Sequence, residues 1–354
     1  MRFRIEAMIL GPETAQYTGD GRSQMSASAI AEQARWVEDM GYDGVTTPET
    51  GHDPFLPLAI AAEHTARVRL GTSVAIAFPR SPLVSAQLAW DLQQLSRGRF
   101  LLGLGTQVKG HNERRYAAPW TGPAGPRMRE YIACVRAMFH TFRTGEKPRF
   151  EGEHYQFTLM SPFFDPGPIE FPDPPIYVAA VNTYLARMAG ELCHGLRLHP
   201  IATFRYVREV LGPEVAAGAE KSGRARNDID VVGVPFLAIG PDEASIAAAK
   251  QALKQRIAFY ASTRTYHSVL ELHGWQDVGA CLHRLSVERK WKEMSDQITD
   301  DMLDEWAIVS TYDELVPRLR ERCAGAFDSM RLELPADLRS DTDRVREIVR
   351  ALRA

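Results

Sequence analysis

Two rhythms of apolar residues alternate along the chain. Arg2–Leu10, Gly44–Pro48, Val68–Phe78 and Arg99–Gly105 are short strand-like runs. Between them apolar positions recur every three or four residues, as on one face of a helix. The first such helix, over about Ser28–Met40, puts Ile30, Ala34, Val37 and Met40 on one stripe and stops at Gly41. Phe55–Ala66 is the second. The third has the sharpest boundaries: Ser81 as cap, Pro82 in the first turn and Gly98 past the end, with Val84, Leu88, Leu92 and Leu95 as its stripe. Farther on, strands are predicted at Pro175–Ala180, Gly195–His199, Ile229–Gly240 and Ser329–Leu334. Helices follow at Thr183–Cys193, about Thr203–Lys221, Thr311–Ala324 and Asp341–Leu352. Thr311-Tyr312-Asp313-Glu314 has the pattern of a capping box, with Pro317 expected to kink that helix or move its start.

Two stretches break the rhythm. Residues 106–174 hold a polar Pro/Gly-rich segment, a helix marked by Met128, Tyr131, Ile132, Val135, Met138, Phe139 and Phe142, a hairpin over Phe150–Phe157 and a proline-stiffened connection. Residues 242–306 are mostly helical around the polar loop Ser262–Trp275. Eight strands, nearly all followed by a helix, predict an α/β fold: a (β/α)8 TIM barrel with insertions after strands four and seven. An open doubly wound sheet would place a glycine-rich turn after strand one, where the chain has Leu10-Gly11-Pro12-Glu13. At about 150 residues per domain the length corresponds to roughly 2.4 domains. The two insertions absorb that surplus, so residues 1–354 read as one domain.

Composition narrows the function classes. The 42 basic and 45 acidic residues leave a net charge of −3, which argues against nucleic acid as a partner. No apolar run approaches the roughly 18 residues of a membrane span, and Met1-Arg2-Phe3-Arg4 does not open a signal peptide, so a cytoplasmic protein without a membrane partner is expected. Cys134, Cys193, Cys281 and Cys323 are scattered, as in a reduced cytosolic chain. There is no HExxH and no Cys/His spacing of a metal site, so no metal is expected.

In a barrel the chemistry belongs at the C-terminal strand ends. After strand two, Glu49, His52 and Asp53 offer general acid–base groups, or else a polar turn in which Asp53, just before Pro54, caps a helix. After strand four, Gln107 precedes the dense cluster His111-Asn112-Glu113-Arg114-Arg115, which is a binding surface or a solvated helix start. Ala180-Val181-Asn182-Thr183 opens a helix with small residues, suited to holding a phosphate on backbone N–H groups or to a plain capped turn. Gly103-Leu104-Gly105 is only a fragment of a dinucleotide motif. Strand six ends at His199-Pro200.

Taken in order, several stretches resemble the bacterial-luciferase-like superfamily, and within it the group that uses the deazaflavin coenzyme F420. They are Gly41-Tyr42-Asp43-Gly44-Val45, Val68-Arg69-Leu70-Gly71-Thr72-Ser73-Val74 and Arg80-Ser81-Pro82-Leu83-Val84-Ser85-Ala86-Gln87. Gly98–Gly105, Glu151-Gly152-Glu153-His154-Tyr155 and Pro174–Ala180 continue the match over nearly the whole chain. The resemblance implies an oxidoreductase that moves a hydride between F420 and a small organic substrate, in a cytoplasmic homodimer. It implies a non-prolyl cis peptide at Ser73–Val74 backing the cofactor ring, with Thr72 beside it. It implies that Val181, Asn182 and Thr183, with Ala180, hold the cofactor phosphate, and that Glu49 and Thr50 lie beside the reactive ring face. On that basis Glu49 and His52 are the expected catalytic groups, Gln107 is a cofactor contact, and His111, Asn112, Glu113 and Arg264 are substrate contacts, Arg264 meeting an anionic tail or lying on the surface. Relatives that oxidise alcohols or sugar phosphates commonly carry Asp-His at strand two, whereas this chain has Glu49-Thr50 with His52 two places on. Three other readings stay open: an FMN-dependent monooxygenase, a cofactor-binding protein without turnover, and a non-redox hydrolase built on Glu49 and Asp53.

Overall fold

A computed structural model describes residues 2–10 and 25–354; Gly11-Pro12-Glu13 lies outside the described residues. The chain has the predicted (β/α)8 barrel fold. Its eight parallel strands are β1 (Arg4–Met8), β2 (Gly44–Thr47), β3 (Arg69–Thr72), β4 (Phe100–Gly105), β5 (Ile176–Ala180), β6 (Gly195–Leu198), β7 (Asp230–Gly233) and β8 (Ser329–Arg331). They hydrogen-bond in the order β3-β2-β1-β8-β7-β6-β5-β4, and β3 pairs with β4 through Leu70↔Phe100 and Gly71↔Leu101. The strands are buried almost throughout, which is why they read as apolar runs without alternation. The chain divides into two compact units, one of Glu6–Ala179 with Glu191–Arg197, the other of Met1–Ile5, Ala180–Gly190 and Leu198–Ala354.

In the first unit the helix boundaries follow their capping chemistry. Ser26 accepts the amide of Ala29 and opens the helix Ala27–Asp39, with Gly41 at φ 85° beyond its end. Ser81 accepts the amide of Val84, Pro82 opens the helix Pro82–Leu95, and Gly98 at φ 83° follows it. The expected stripe of this helix is corrected, because Val84 and Leu95 are 46% and 59% exposed. The buried face is instead Ser85, Ala86, Ala89, Trp90, Leu92 and Gln93. Its small residues make room for the helix Ala124–Thr144, whose Phe139 and Phe142 meet Trp90 at 5.5 and 5.6 Å between ring centroids. Tyr131 of that helix hydrogen-bonds Ser85 at 2.6 Å. Hydrophobicity alone misplaced the face because Ser85 and Gln93 are polar yet buried and partnered.

The predicted hairpin pairs Phe150–Glu151 with Gln156–Phe157. Its turn is held by the Glu130 carboxylate, which accepts the amides of Glu153, His154 and Tyr155. A Cβ on Gly152 would sit 2.1 Å from Glu130 Oε1, so glycine is what lets the turn reach that carboxylate.

The second unit departs from expectation at strand seven. The run Ile229–Gly240 is two strands: β7, and Phe236–Gly240, which pairs in parallel with Ala307–Thr311 in a separate two-stranded sheet. Val234-Pro235 lies at the break, and a proline there removes a ladder donor and constrains the residue before it. The strand Ala307–Thr311 was not anticipated. Because Thr311 pairs with Gly240, it is no helix cap; the helix runs over Leu315–Cys323 from Glu314, without a side-chain cap, and the capping box does not form. Between the two strands lie the helices from Glu243–Ala261 to Asp300–Trp306, as expected of the insertion.

Candidate active site

The turn after β2 is tied together by one guanidinium. Arg80 Nη1 donates to Glu49 Oε2 at 2.6 Å and to the Ile76 carbonyl at 3.0 Å, while Nη2 donates to Asp53 Oδ2 at 3.0 Å. The same Glu49 oxygen accepts the amide of Ile76 at 2.7 Å, and its side chain is only 7% exposed. Burial works against the charge on Arg80, but the two carboxylates outweigh it and raise its pKa. Asp53 Oδ1 accepts the amides of Phe55 and Leu56 from two residues ahead of the cap position, and the helix Leu56–His64 opens at Phe55 without a side-chain cap, so Asp53 ties the turn rather than capping the helix as expected. Tyr116 lies close by, and its phenol is pushed upward first by burial and then by the charge of Glu49. His52 is half-buried, with no hydrogen bond to a described residue.

The segment after β3 carries the expected cis peptide at Ser73–Val74, followed by the short strand Ala75–Ile76. Gly105 makes room for Val74: a Cβ there would lie 2.6 Å from Val74 Cγ2. Thr72 is fully buried and its hydroxyl is spent on β4, donating to the Gly103 carbonyl at 2.6 Å and accepting its amide at 2.9 Å. Ser73 bonds to β2 through the Thr47 carbonyl at 2.8 Å, and its hydroxyl accepts from Arg197 at 3.5 Å. Arg197 in turn pairs with Glu6 at 2.8 Å, both almost fully buried, and lies over the Tyr177 ring.

At the end of β4, Gln107 has φ 54° in the left-handed region, where a side chain is uncommon and marks a constrained position. Asn112 is fully buried, donating to the Thr106 and Val108 carbonyls while its Oδ1 has no partner among the described residues. His111 and Glu113, on the same short helix Lys109–Arg114, are exposed. Arg115 binds the Thr50 carbonyl, joining this segment to the β2 turn. The structure thus brings Glu49, Thr72, Ser73, Val74 and Gln107–Asn112 into one connected set of loops.

The remaining candidates belong to the second unit. Ala180 closes β5, and Asn182 caps the helix Thr183–Leu192 through its Oδ1 on the Leu185 amide at 2.9 Å. The first amides of such a helix have no intrahelical acceptor, and the helix dipole favours an anion there. Val181 and Thr183 flank that cap, and Tyr206 donates to the Val181 carbonyl at 3.0 Å. Arg264 is exposed. Reasoning from sequence missed Arg80, Arg197 and Tyr116, whose partners are remote in the chain, and it passed over His199, which is enclosed by two tyrosines. Among the described residues no cluster of three metal-ligating side chains occurs, and no helix is long and apolar enough to cross a membrane.

A profile of the luciferase-like monooxygenase family matches residues 3–329. The chain belongs to that family. The expected superfamily is thereby established, and this is an enzyme of luciferase-like type. An uncharacterized protein of Mycobacterium tuberculosis is 44% identical over 309 residues, covering 87% of this chain and 91% of its own. An F420-dependent glucose-6-phosphate dehydrogenase of Intrasporangium calvum is 30% identical over 320 residues, covering 85% and 87%. Among solved structures, the coenzyme F420-dependent tetrahydromethanopterin reductase of Methanopyrus kandleri superposes over the whole of both chains with a TM-score of 0.76 at 19% identity. That likeness is one of fold.

Proposed function

We propose that this luciferase-like enzyme is an oxidoreductase that exchanges a hydride between coenzyme F420 and a small organic substrate, as a single domain whose insertions are residues 106–174 and 242–306. The observation that carries the reading is the F420-dependent dehydrogenase at 30% identity over 85% of the chain. The residues fit such a cofactor. Gly105 leaves the space that Val74 fills, and the helix at Thr183 offers amides to an anionic group. Val181, Asn182 and Thr183 would hold its phosphate, with Ser73, Val74, Gln107 and Ala180 as further contacts. When bound, F420 supplies hydride exchange at C5 of its deazaflavin, and the protein contributes binding and orientation.

The chain's own groups divide the remaining work. Arg197 steadies the Ser73 hydroxyl, and Thr72 locks β3 to β4 beneath it. Glu49 is committed to Arg80 and the Ile76 amide, so its part is to position that loop. His52 is the group we assign to a proton near the reacting atoms, with His111, Asn112, Glu113 and Arg264 as substrate contacts. The engagement of both Glu49 and Asp53 by Arg80 tells against the hydrolase reading, which needs two available carboxylates. Titration with F420 and with FMN tests the proposal: saturable F420 binding is expected, followed by absorbance changes with members of a substrate library. Tight FMN binding without affinity for F420 would overturn it.

A further inference from the structure

His199 follows β6 directly, and Ile201, Tyr260, Tyr266, Arg256 and Arg331 around it belong to the same unit. Its Nδ1 accepts the amide of Ile201 at 3.1 Å, and the Ile201 carbonyl accepts the Trp306 indole N–H at 2.6 Å. The turn is pinned from both sides, and the imidazole proton therefore sits on Nε2. Two insertion residues wall the ring. Tyr260, near the end of the helix Glu243–Ala261, meets it edge-on with centroids 4.7 Å apart, and Tyr266, closing the turn Arg264–Tyr266, lies at 4.6 Å. His199 is half-buried as a residue, and Nε2 has no acceptor among the described residues.

The neighbouring charges are engaged elsewhere. Arg256 lies over the Phe236 and Tyr260 rings and donates to the Tyr260 hydroxyl at 3.3 Å. Arg331, the last residue of β8, ion-pairs with Glu333 at 2.6 Å. Burial lowers the pKa of His199 to about 3, and the positive charges of Arg331 and Arg256 act in the same direction. Burial also pushes the Tyr266 phenol up to about 12, with Tyr260 adding to it. The result is an uncharged N–H donor flanked by two aromatic rings, at a barrel-strand end, the place where barrel folds bind ligands.

We propose that His199, Tyr260 and Tyr266 form a substrate-orienting subsite for a flat organic molecule with a neutral hydrogen-bond acceptor, a conjugated ketone being the simplest case. The inference rests on the oxidoreductase reading for calling its occupant a substrate. The tyrosine walls select for a flat shape, and the Nε2–H selects for the acceptor.

The test compares 1-indanone with indane, which has the same shape without the acceptor, by calorimetry on the full chain. The wild type is expected to bind indanone about tenfold more tightly, the effect of one neutral hydrogen bond. His199→Phe should erase the preference, and His199→Gln, which keeps an N–H donor, should restore most of it. Equal affinity for the two ligands in the wild type, or a preference that survives in His199→Phe, overturns the proposal. If His199→Phe does not fold, the 15N shift of the wild-type Nε2 decides: it should move with indanone and not with indane, and no movement overturns the proposal. Fluorescence titration of F420 on the same proteins reads the cofactor independently. Loss of F420 binding with the indanone preference intact would sink the oxidoreductase reading and leave the subsite standing.

Discussion

The ends of β2 and β6 solve opposite problems. After β2, two carboxylates share one guanidinium, so the charges that sequence reasoning nominated for catalysis are saturated by each other. After β6, a single imidazole is stripped of charge by its surroundings and keeps one unused donor. The first cluster is closed because its charges pair with one another. The second can receive a ligand because it is not. Titratable residues close in sequence are therefore a weaker pointer to chemistry than a polar group whose partners leave one hydrogen-bonding position open.

Four measurements break or sharpen this contrast. Arg80→Leu strands the nearly buried Glu49 carboxylate and should cost about 3–5 kcal/mol in denaturant unfolding. A loss below about 1 kcal/mol would show that the β2 cluster is not held by charge. The second measurement concerns acid. The folded pKa of His199, about 3, lies below its ordinary value of 6.5, so the unfolded chain takes up a proton first. Stability is then whole above pH 6.5 and falls as the pH drops towards 3, by about tenfold in the folding constant per pH unit. His199→Gln should flatten that part of the pH–stability curve, and parallel wild-type and variant curves would contradict it. Thr72→Val leaves the Gly103 amide and carbonyl without the hydroxyl that serves both, and should cost about 1–3 kcal/mol. A smaller cost would mean that β3 and β4 do not depend on this link. Asp53→Asn keeps an oxygen for the Phe55 and Leu56 amides and loses only the half-exposed side of the ion pair, so a change within about 1 kcal/mol is expected. A larger loss would make Asp53, rather than Glu49, the main partner of Arg80.

The alternation of strand and helix, the cap at Ser81 and the Phe150–Phe157 hairpin were legible in local chemistry before the structure. The cis peptide was expected only from the family resemblance. The second strand of the split run and its partner Ala307–Thr311 were not legible, since their pairing joins segments more than sixty residues apart. Pro235 was the available warning. The candidate site was legible as a set of loops but not as a set of roles. Glu49 looked reactive until Arg80, 31 positions away, was seen to occupy it. His199 looked ordinary because its two tyrosines lie in an insertion whose folding no periodicity describes.

The parallel pair Phe236–Gly240 and Ala307–Thr311 has one more consequence. Five residue pairs zip shut the base of the excursion over 242–306. Once that base is closed, lengthening the enclosed chain is cheap, since doubling a flexible loop costs only about 0.6 kcal/mol. The excursion is thus an exchangeable cassette. A chain of this design can trade one set of walls for another, and with them its choice of molecule, while β7 and β8 keep their register.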